Sequence, residues 1–405
     1  MTSISPSPNS DSVQHWQRSG GNQRSVRHYN ERLILDIISR AGSLSKADIT
    51  RMTALSAQTV TVIVNKLIQD GLLKKMDAIK GRVGQPSTPI ALNPDGAISL
   101  GIKLGRGSID AISLSFTNTI IGRRRLRYAY PDPEVIFDWI RENVQSLRDD
   151  LNPEQQNNLT GIGIAAPFHL SGWEGMIGAP EGVMTKWDQI NIANQISKDT
   201  GLDAWLINDA SAACLAELRN GQTLSNSGLY YYIGTFLGGG IVLDGKLFSG
   251  LGGNAGSFGS MPQGLITPTT PKPQQMVTAC AINTLEAMIN ARGLDDDFIL
   301  NERPLTQDEM DVFHEWSEQA ASALAFVIIS SQALLDTDQV VIDGSLTSPL
   351  IDAITQKVTE SIAAYDTQGL TLPTISKGHL GIDARALGGA ILPLQENFGL
   401  DSNLI

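Results

Sequence analysis

Between residues 30 and 92, three helical periodicities, two serine caps and a basic, glycine-rich hairpin follow one another almost without linkers. Few folds accommodate that order. Residues 30–40 (NERLILDIISR) place Leu33, Ile34, Ile37 and Ile38 at helical spacing, and Ala41-Gly42 ends the run. Ser45 is placed to cap a second short helix, KADITRMT, with Ile49 and Met52 facing inward and Ala54-Leu55 making a tight turn. Ser56 is placed to cap a third helix that reaches about Gln69 and stops at Gly71.

Laid out at helical pitch, Val60, Ile63, Val64 and Leu67 share one face of the third helix and should pack inward. Gln58, Val62, Asn65 and Lys66 fall roughly opposite, with Thr61 on the flank. In a helix-turn-helix, side chains so placed enter a major groove. Gln and Asn can grip adenine edges, and a valine can meet a thymine methyl. The alternative is an ordinary three-helix bundle with an uninformative polar face. Residues 72–75 (LLKK) then begin a strand, and residues 89–92 (PIAL) return as its partner. Between them Lys80 and Arg82 sit on a glycine-rich tip able to lie along phosphates or reach into a minor groove. Trihelical core plus basic wing predicts a winged helix-turn-helix over residues 26–93, with double-stranded DNA as its partner.

Charge divides the chain in the same place. Residues 1–90 hold 12 Lys and Arg against 6 Asp and Glu, whereas the remainder holds 18 against 36. A basic head attracts phosphate; an acidic body repels non-specific nucleic acid.

A chain of 405 residues is too long for one core. No run of about 18 uncharged apolar residues is present, so no membrane span or membrane partner is expected. Residues 1–25 are polar, lack the apolar core of a signal peptide and read as a disordered lead-in. Cys214 and Cys280 are too few for a disulfide framework and fit a reducing cytoplasm.

The acidic body mixes strands with long helices and predicts α/β layers. Residues 97–116 read as two strands, 135–151 as an amphipathic helix, and 160–166 as a buried strand. Residues 202–207 form another strand ending at Asn208-Asp209, with a helix over 210–219. A hairpin turns around Phe236-Leu237-Gly238-Gly239. Helices are expected over 278–292, 307–335 and 384–395, and a strand over 339–342 breaks at Asp343-Gly344.

With those segments in view, the chain resembles the ROK family (repressors, open reading frames and sugar kinases), in its transcriptional-regulator branch. The likeness runs from about residue 26 to 398. It is carried by the winged head, TGIGIAAP (160–167), INDASAACLAE (207–217), YIGTFLGGGIVLDGKLFSGLGGNAG (232–256) and LGIDARALGGAIL (380–392). It implies an actin-like (ribonuclease H-like) sugar kinase fold of two α/β lobes, with a sugar cleft between them and usually a dimer. The expected layout is a first lobe over 94–206 joined by a C-terminal helix within 380–405, and a second lobe over 207–379 that carries the dimer contact.

The resemblance places a catalytic base at Asp209, beside the sugar-binding Asn208. The same pair also suits a helix cap. The family's first phosphate loop reads Asp-x-Gly-Gly-Thr-Lys, but here it reads Lys103-Leu104-Gly105-Arg106-Gly107-Ser108, without the acid expected near magnesium. The second loop keeps its glycines, Gly238 and Gly239 among them. The Glu and His of the family's sugar site are Ser257 and Ser260, and the three-cysteine zinc module is replaced by QGLITPTTPKPQQ (263–275). Tetrahedral zinc needs about four ligands. No structural metal and no cofactor are therefore expected, and Cys280 should be solitary and buried. His169 and Glu181 lie in loops that face the cleft in relatives, and either is a candidate replacement contact or an ordinary solvated loop residue.

These readings predict a cytoplasmic, homo-oligomeric (dimeric or tetrameric) regulator, a repressor rather than an enzyme, with no catalytic residues. Its operator affinity answers to a sugar or phosphosugar held by Asn208, Asp209, Gly238, Gly239, Ser257, Ser260, Glu181 and His169. The alternatives are an active ATP-dependent sugar kinase with a DNA-binding head, and a regulator that answers to a protein partner.

Overall fold

The computed structural model describes residues 23–77, 88–171, 174–221, 223–224 and 226–400. They form two compact units: residues 23–69, 75–91 and 398–400 make one, and residues 70–74 and 92–397 the other.

In the first unit α1 (Gln23–Ala41) starts well before its apolar periodicity, extended by Arg27–Glu31 and Arg40–Asp36 pairs one turn apart. Gly42 ends it in the left-handed region, φ +76°. A short strand β1 (Ser43–Leu44) follows, then α2 (Lys46–Thr53), where the Ser45 hydroxyl accepts the Asp48 N–H at 3.1 Å. Ala54 closes α2 at φ 55°, a conformation that costs a β-carbon. α3 (Ala57–Gln69) is capped by Ser56, whose hydroxyl accepts the Thr59 N–H. Val60, Ile63, Val64 and Leu67 are buried, as helical spacing requires. Met52 is not: it is 55% exposed, because Ile49 alone fills the inward face of so short a helix. β2 (Leu73–Lys75) and β3 (Ile90–Leu92) complete a sheet of order β1-β3-β2. At two residues, β1 is too short to show a periodicity in the sequence. The wing tip, with Lys80 and Arg82, lies outside the described residues. Arg32 on α1 donates to the Gly399 carbonyl at 3.0 Å, so the last described residues belong to this unit and not to the first lobe.

The second unit contains two five-stranded sheets. The first comprises β4 (Ile98–Leu104), β5 (Ser108–Ser115), β6 (Ile120–Arg127), β7 (Leu159–Ala166) and β8 (Ala204–Asn208), in order β6-β5-β4-β7-β8. α4 (Pro133–Asp149), α5 (Pro153–Asn157), α6 (Glu174–Ile177) and α7 (Ile192–Thr200) connect or follow them. β4 is buried along its whole length, although its apolar residues alternate with Ser99, Gly101 and Lys103. α8 (Asp209–Asn220) leads to the second sheet: β9 (Gly228–Ile233), β10 (Leu237–Leu243), β11 (Lys246–Phe248), β12 (Gln339–Gly344) and β13 (Thr374–Lys377), in order β11-β10-β9-β12-β13. Both sheets thus build an antiparallel meander of three strands and then add two parallel ones beside its first strand. This internal duplication leaves no short period in the sequence.

α9 (Ile282–Ala291), α10 (Gln307–Leu335) and α11 (Ser348–Ile362) cover the second sheet. α10 is by length and composition apolar enough to cross a membrane, although Glu318 and Asp336 bound its uncharged stretch. Its Phe313, Trp316, Leu324, Val327 and Ile328 nevertheless lie in the core with β9 and β12 residues, as in a buried helix of a globular lobe. α12 (Ala384–Phe398) packs on the first sheet at very close range: a β-carbon at Gly163 would overlap the Gly389 carbonyl, and one at Gly101 would lie 2.5 Å from Ala390 N. Ser99 Oγ donates to the Ala390 carbonyl at 2.6 Å.

Candidate functional site

The exposed side of α3 carries Gln58, Thr61, Val62 and Asn65, with Val62 57% exposed. Asn65 Oδ1 accepts from Lys46 Nζ at 2.9 Å, which brings the first residue of α2 alongside the candidate reading face. Lys66 differs from expectation. It is half-buried and its ammonium lies 3.2 Å from the Glu31 carboxylate of α1, because its position in the helical turn carries it to the flank of the bundle. Lys46, which sequence reasoning passed over, is the cation that joins this face.

In the second unit a cavity of about 190 Å³ is lined by His169, Asn208, Asp209, Gly238, Gly239, Ser257 and Ser260, among others. Seven expected ligand residues from four separate segments therefore share one wall. Glu181 does not line it: that residue is exposed in the turn ahead of the short helix Met184–Gln189. Gly238 and Gly239 are strand residues of β10 rather than loop residues, since Leu237 already pairs with Ile233 and the turn is Gly234-Thr235-Phe236. Side chains are excluded there: a β-carbon at Gly238 would lie 2.6 Å from Ala210 Cβ, and one at Gly239 would lie 2.6 Å from the Phe258 ring.

Asn208 caps α8. Its Oδ1 accepts the N–H groups of Ala210 and Ser211 at 3.0 and 3.2 Å, which spends its carbonyl oxygen on the helix. Asp209 is the next residue, and its Oδ2 accepts from Arg385 of α12 at 3.4 Å. Arg385 also donates to Ser345 Oγ at 3.2 Å and lies over the Tyr232 ring, 4.9 Å from its centroid. Arg106 lies over Phe236 at 4.3 Å. Burial pulls its guanidinium down to about 10, while the charge of Asp209 pulls the other way. Neither arginine was anticipated as a site residue. Each is unremarkable in its own segment, and only the fold brings them to one cavity.

Lys103, which stands where kinases of the family carry an acid, points into the sheet. Strand register sets Lys103 of β4 opposite Asp110 of β5, and Asp110 opposite Arg125 of β6. Lys103 Nζ donates to Ser108 Oγ at 2.7 Å and to Asp110 Oδ2 at 3.4 Å, and Arg125 donates to the other oxygen of Asp110. Burial, with the nearby charge of Arg385, lowers the Lys103 ammonium to about 7, against the opposing pull of Asp110. Lys103, Arg125 and Arg127 line a second cavity of about 410 Å³, which shares Gly105, Arg106, Thr235 and Arg385 with the first.

The segment 263–275, in place of a metal module, is closed at its base by main-chain bonds. Gln263 N donates to the Gln274 carbonyl at 2.7 Å, and Pro262 bridges Gln275. Cys280 is buried nearby, its thiol pushed up to about 12 by desolvation. No three His, Cys, Asp or Glu side chains gather as a metal-binding set among the described residues.

Against known proteins, residues 99–396 match the family model described as ROK family, and residues 27–74 match one described as winged helix-turn-helix DNA-binding. A xylose repressor of Caldicellulosiruptor bescii is 26% identical over 281 residues, covering 68% of this chain and 67% of that protein. A beta-glucoside kinase of Listeria innocua is 34% identical over 139 residues, 32% of this chain and 47% of the kinase. The crystal structure of a ROK family transcriptional regulator, a homolog of the E. coli MLC protein, superposes with a TM-score of 0.66 at 19% identity. It covers 93% of this chain and 98% of that one, a likeness of fold.

Proposed function

The chain belongs to the ROK family, and on that premise we propose that it is a cytoplasmic DNA-binding regulator, a repressor of carbohydrate-metabolism genes, whose operator affinity is set by a sugar or sugar derivative held in the first cavity. Residues 26–93 are the DNA-reading module, and the two lobes, 94–206 and 207–379, are the sensor. The observation that carries the reading is the pairing of a winged helix-turn-helix, with Gln58, Thr61, Val62 and Asn65 exposed on α3, with a ROK body whose Asp209 is held by Arg385. The relatives named as xylose repressors support a carbohydrate ligand and repression.

A homo-oligomer, dimer or tetramer, sets two copies of α3 in successive major grooves of one face of the duplex. Phosphate contacts supply much of the affinity, so binding falls with salt by about 0.9 in log–log slope per contact. A sugar changes operator affinity only by preferring one arrangement of the protein over another. Electrophoretic or anisotropy titration of DNA recovered by genome-wide capture, with and without a sugar panel, tests the reading. Release of DNA by one sugar is the expected result; a head that binds no duplex overturns it.

A second reading has its own support. Asp209 faces the cavity, and a beta-glucoside kinase is among the relatives. A kinase needs that carboxylate to take a hydroxyl proton while a metal-held nucleotide offers phosphate. In this chain Arg385 donates to Asp209, and Lys103 replaces the acid that the family's phosphate loop carries. Turnover of ATP with any sugar, abolished by Asp209→Asn, establishes the second reading in place of the first.

A further inference from the structure

Where the two cavities join, two guanidiniums face a single carboxylate. Arg106 and Arg385 line both cavities, and among the described residues Asp209 is the one carboxylate lining the first. Arg385 spends two of its nitrogens on Asp209 and Ser345, while its Nε is buried with no hydrogen-bond partner among the described residues. A buried donor left in this way is what a ligand oxygen satisfies. Deeper in the sheet, beside the same junction, Lys103 and Arg125 both pair with Asp110.

The walls of the second cavity are segregated by sign. Its cations, Lys103, Arg106, Arg125, Arg127 and Arg385, come from the first sheet, its β4–β5 turn and α12. Its carboxylates, Glu286, Asp295, Asp296 and Asp297, come from α9 and the turn that follows. Asp297 is already within 3.6 Å of Arg303. An anion entering from the first cavity therefore meets the arginine wall first and is kept from the far side by the acidic one. Guanidinium forks suit the oxygens of phosphate and carboxylate, and partial burial strengthens such bonds.

We propose that the effector is an anionic carbohydrate, a sugar phosphate or a sugar acid, whose charged group sits between Arg106 and Arg385 while its hydroxyls face Asp209 and the β10 glycines. This rests on the reading of the first cavity as a carbohydrate site, and it adds the ligand's charge. Arg385 is the inner clamp, fixed by Asp209, Ser345 and the Tyr232 ring. Arg106 is the outer one, on a turn, and closes over the anion.

Calorimetric titration of the full chain tests this with pentose and hexose phosphates, uronates and aldonates, the parent neutral sugars and inorganic phosphate. At least one phosphate or acid binds about ten-fold or more tightly than its neutral parent, and the winner tells phosphate from carboxylate. Arg106→Gln weakens that ligand about ten-fold or more and the neutral parent less than roughly three-fold, and Arg106→Lys falls between. A neutral sugar that binds as tightly as all its charged derivatives overturns the inference and leaves the carbohydrate site standing. Equal losses for both ligands in Arg106→Gln do the same. Inorganic phosphate binding with no carbohydrate of either kind overturns both, as does the absence of any binding by a protein that still holds DNA.

Discussion

Asp209 and Arg385, at the starts of α8 and α12 and far apart in the sequence, meet at 3.4 Å in the cavity with about a tenth of the arginine side chain and a fifth of the aspartate side chain exposed. The guanidinium reaches the same carboxylate that a sugar hydroxyl would use. Removing the carboxylate leaves a mostly buried cation without its partner. Asp209→Ala should therefore destabilise the second unit by about 1–3 kcal/mol, read from urea unfolding, whereas Asp209→Asn should cost less. An unchanged midpoint in Asp209→Ala would mean that the pair holds nothing in place.

On the reading face, Asn65→Ala should weaken the operator by about 1–3 kcal/mol and relax preference at one base position. Lys46→Ala removes the cation that touches Asn65 and should reduce the salt slope by about one contact, uniformly across sequences. Fluorescence anisotropy against rising salt separates the two effects. Lys66→Ala, by contrast, should act on folding through Glu31 before it acts on DNA.

Ala54 holds a left-handed conformation between α2 and α3. A β-carbon there costs about 1–2 kcal/mol, and glycine returns part of that gain to the unfolded chain. Ala54→Gly should raise stability by about 0.5 kcal/mol, visible as a higher urea midpoint with unchanged operator affinity. A lower midpoint would show that the turn prefers its methyl group.

Glu217 and Asp343 are buried acids that act on one another electrostatically. Glu217 is fully buried, 3.5 Å from His379, and Asp343 accepts from Tyr230 at 2.9 Å. Desolvation raises both carboxyls, and Asp343 raises Glu217 further. The folded state therefore holds protons that the unfolded chain has released. Stability is fully present below the ordinary carboxylate range and is lost as pH rises through the raised values. Glu217→Gln should flatten that decline and shift the neutral-pH midpoint upward. A pH profile identical to that of the parent would show that the slope comes from elsewhere.

How much of this was legible depended on how local the cause was. The buried face of α3 follows from apolar residues at helical spacing, and Ser45 and Ser56 cap their helices through neighbours three residues on. β6 escaped because an edge strand carrying Arg123, Arg124, Arg125 and Arg127 shows no apolar alternation, since its partners are Asp383, Asp150 and Asp110 elsewhere in the chain. α7 escaped because only Ile192 and Ile196 are buried along it. Gly238 and Gly239 read as a turn in the sequence because glycine marks turns, but the structure needs them for close approach to Ala210 and Phe258. Arg106 and Arg385 became a site only when strand, turn and C-terminal helix converged.

The two sheets repeat one strand order, so the turn after β4 and the turn after β9 are counterparts. Arg106 stands on one of them and Phe236 on the other, 4.3 Å apart. A pseudo-symmetric molecule has thus set the fingertips of its two hands against each other at the mouth of the chamber. Any hinging between the hands must slide that cation along or off that ring, and a guest touching the arginine alters the sliding for both hands at once.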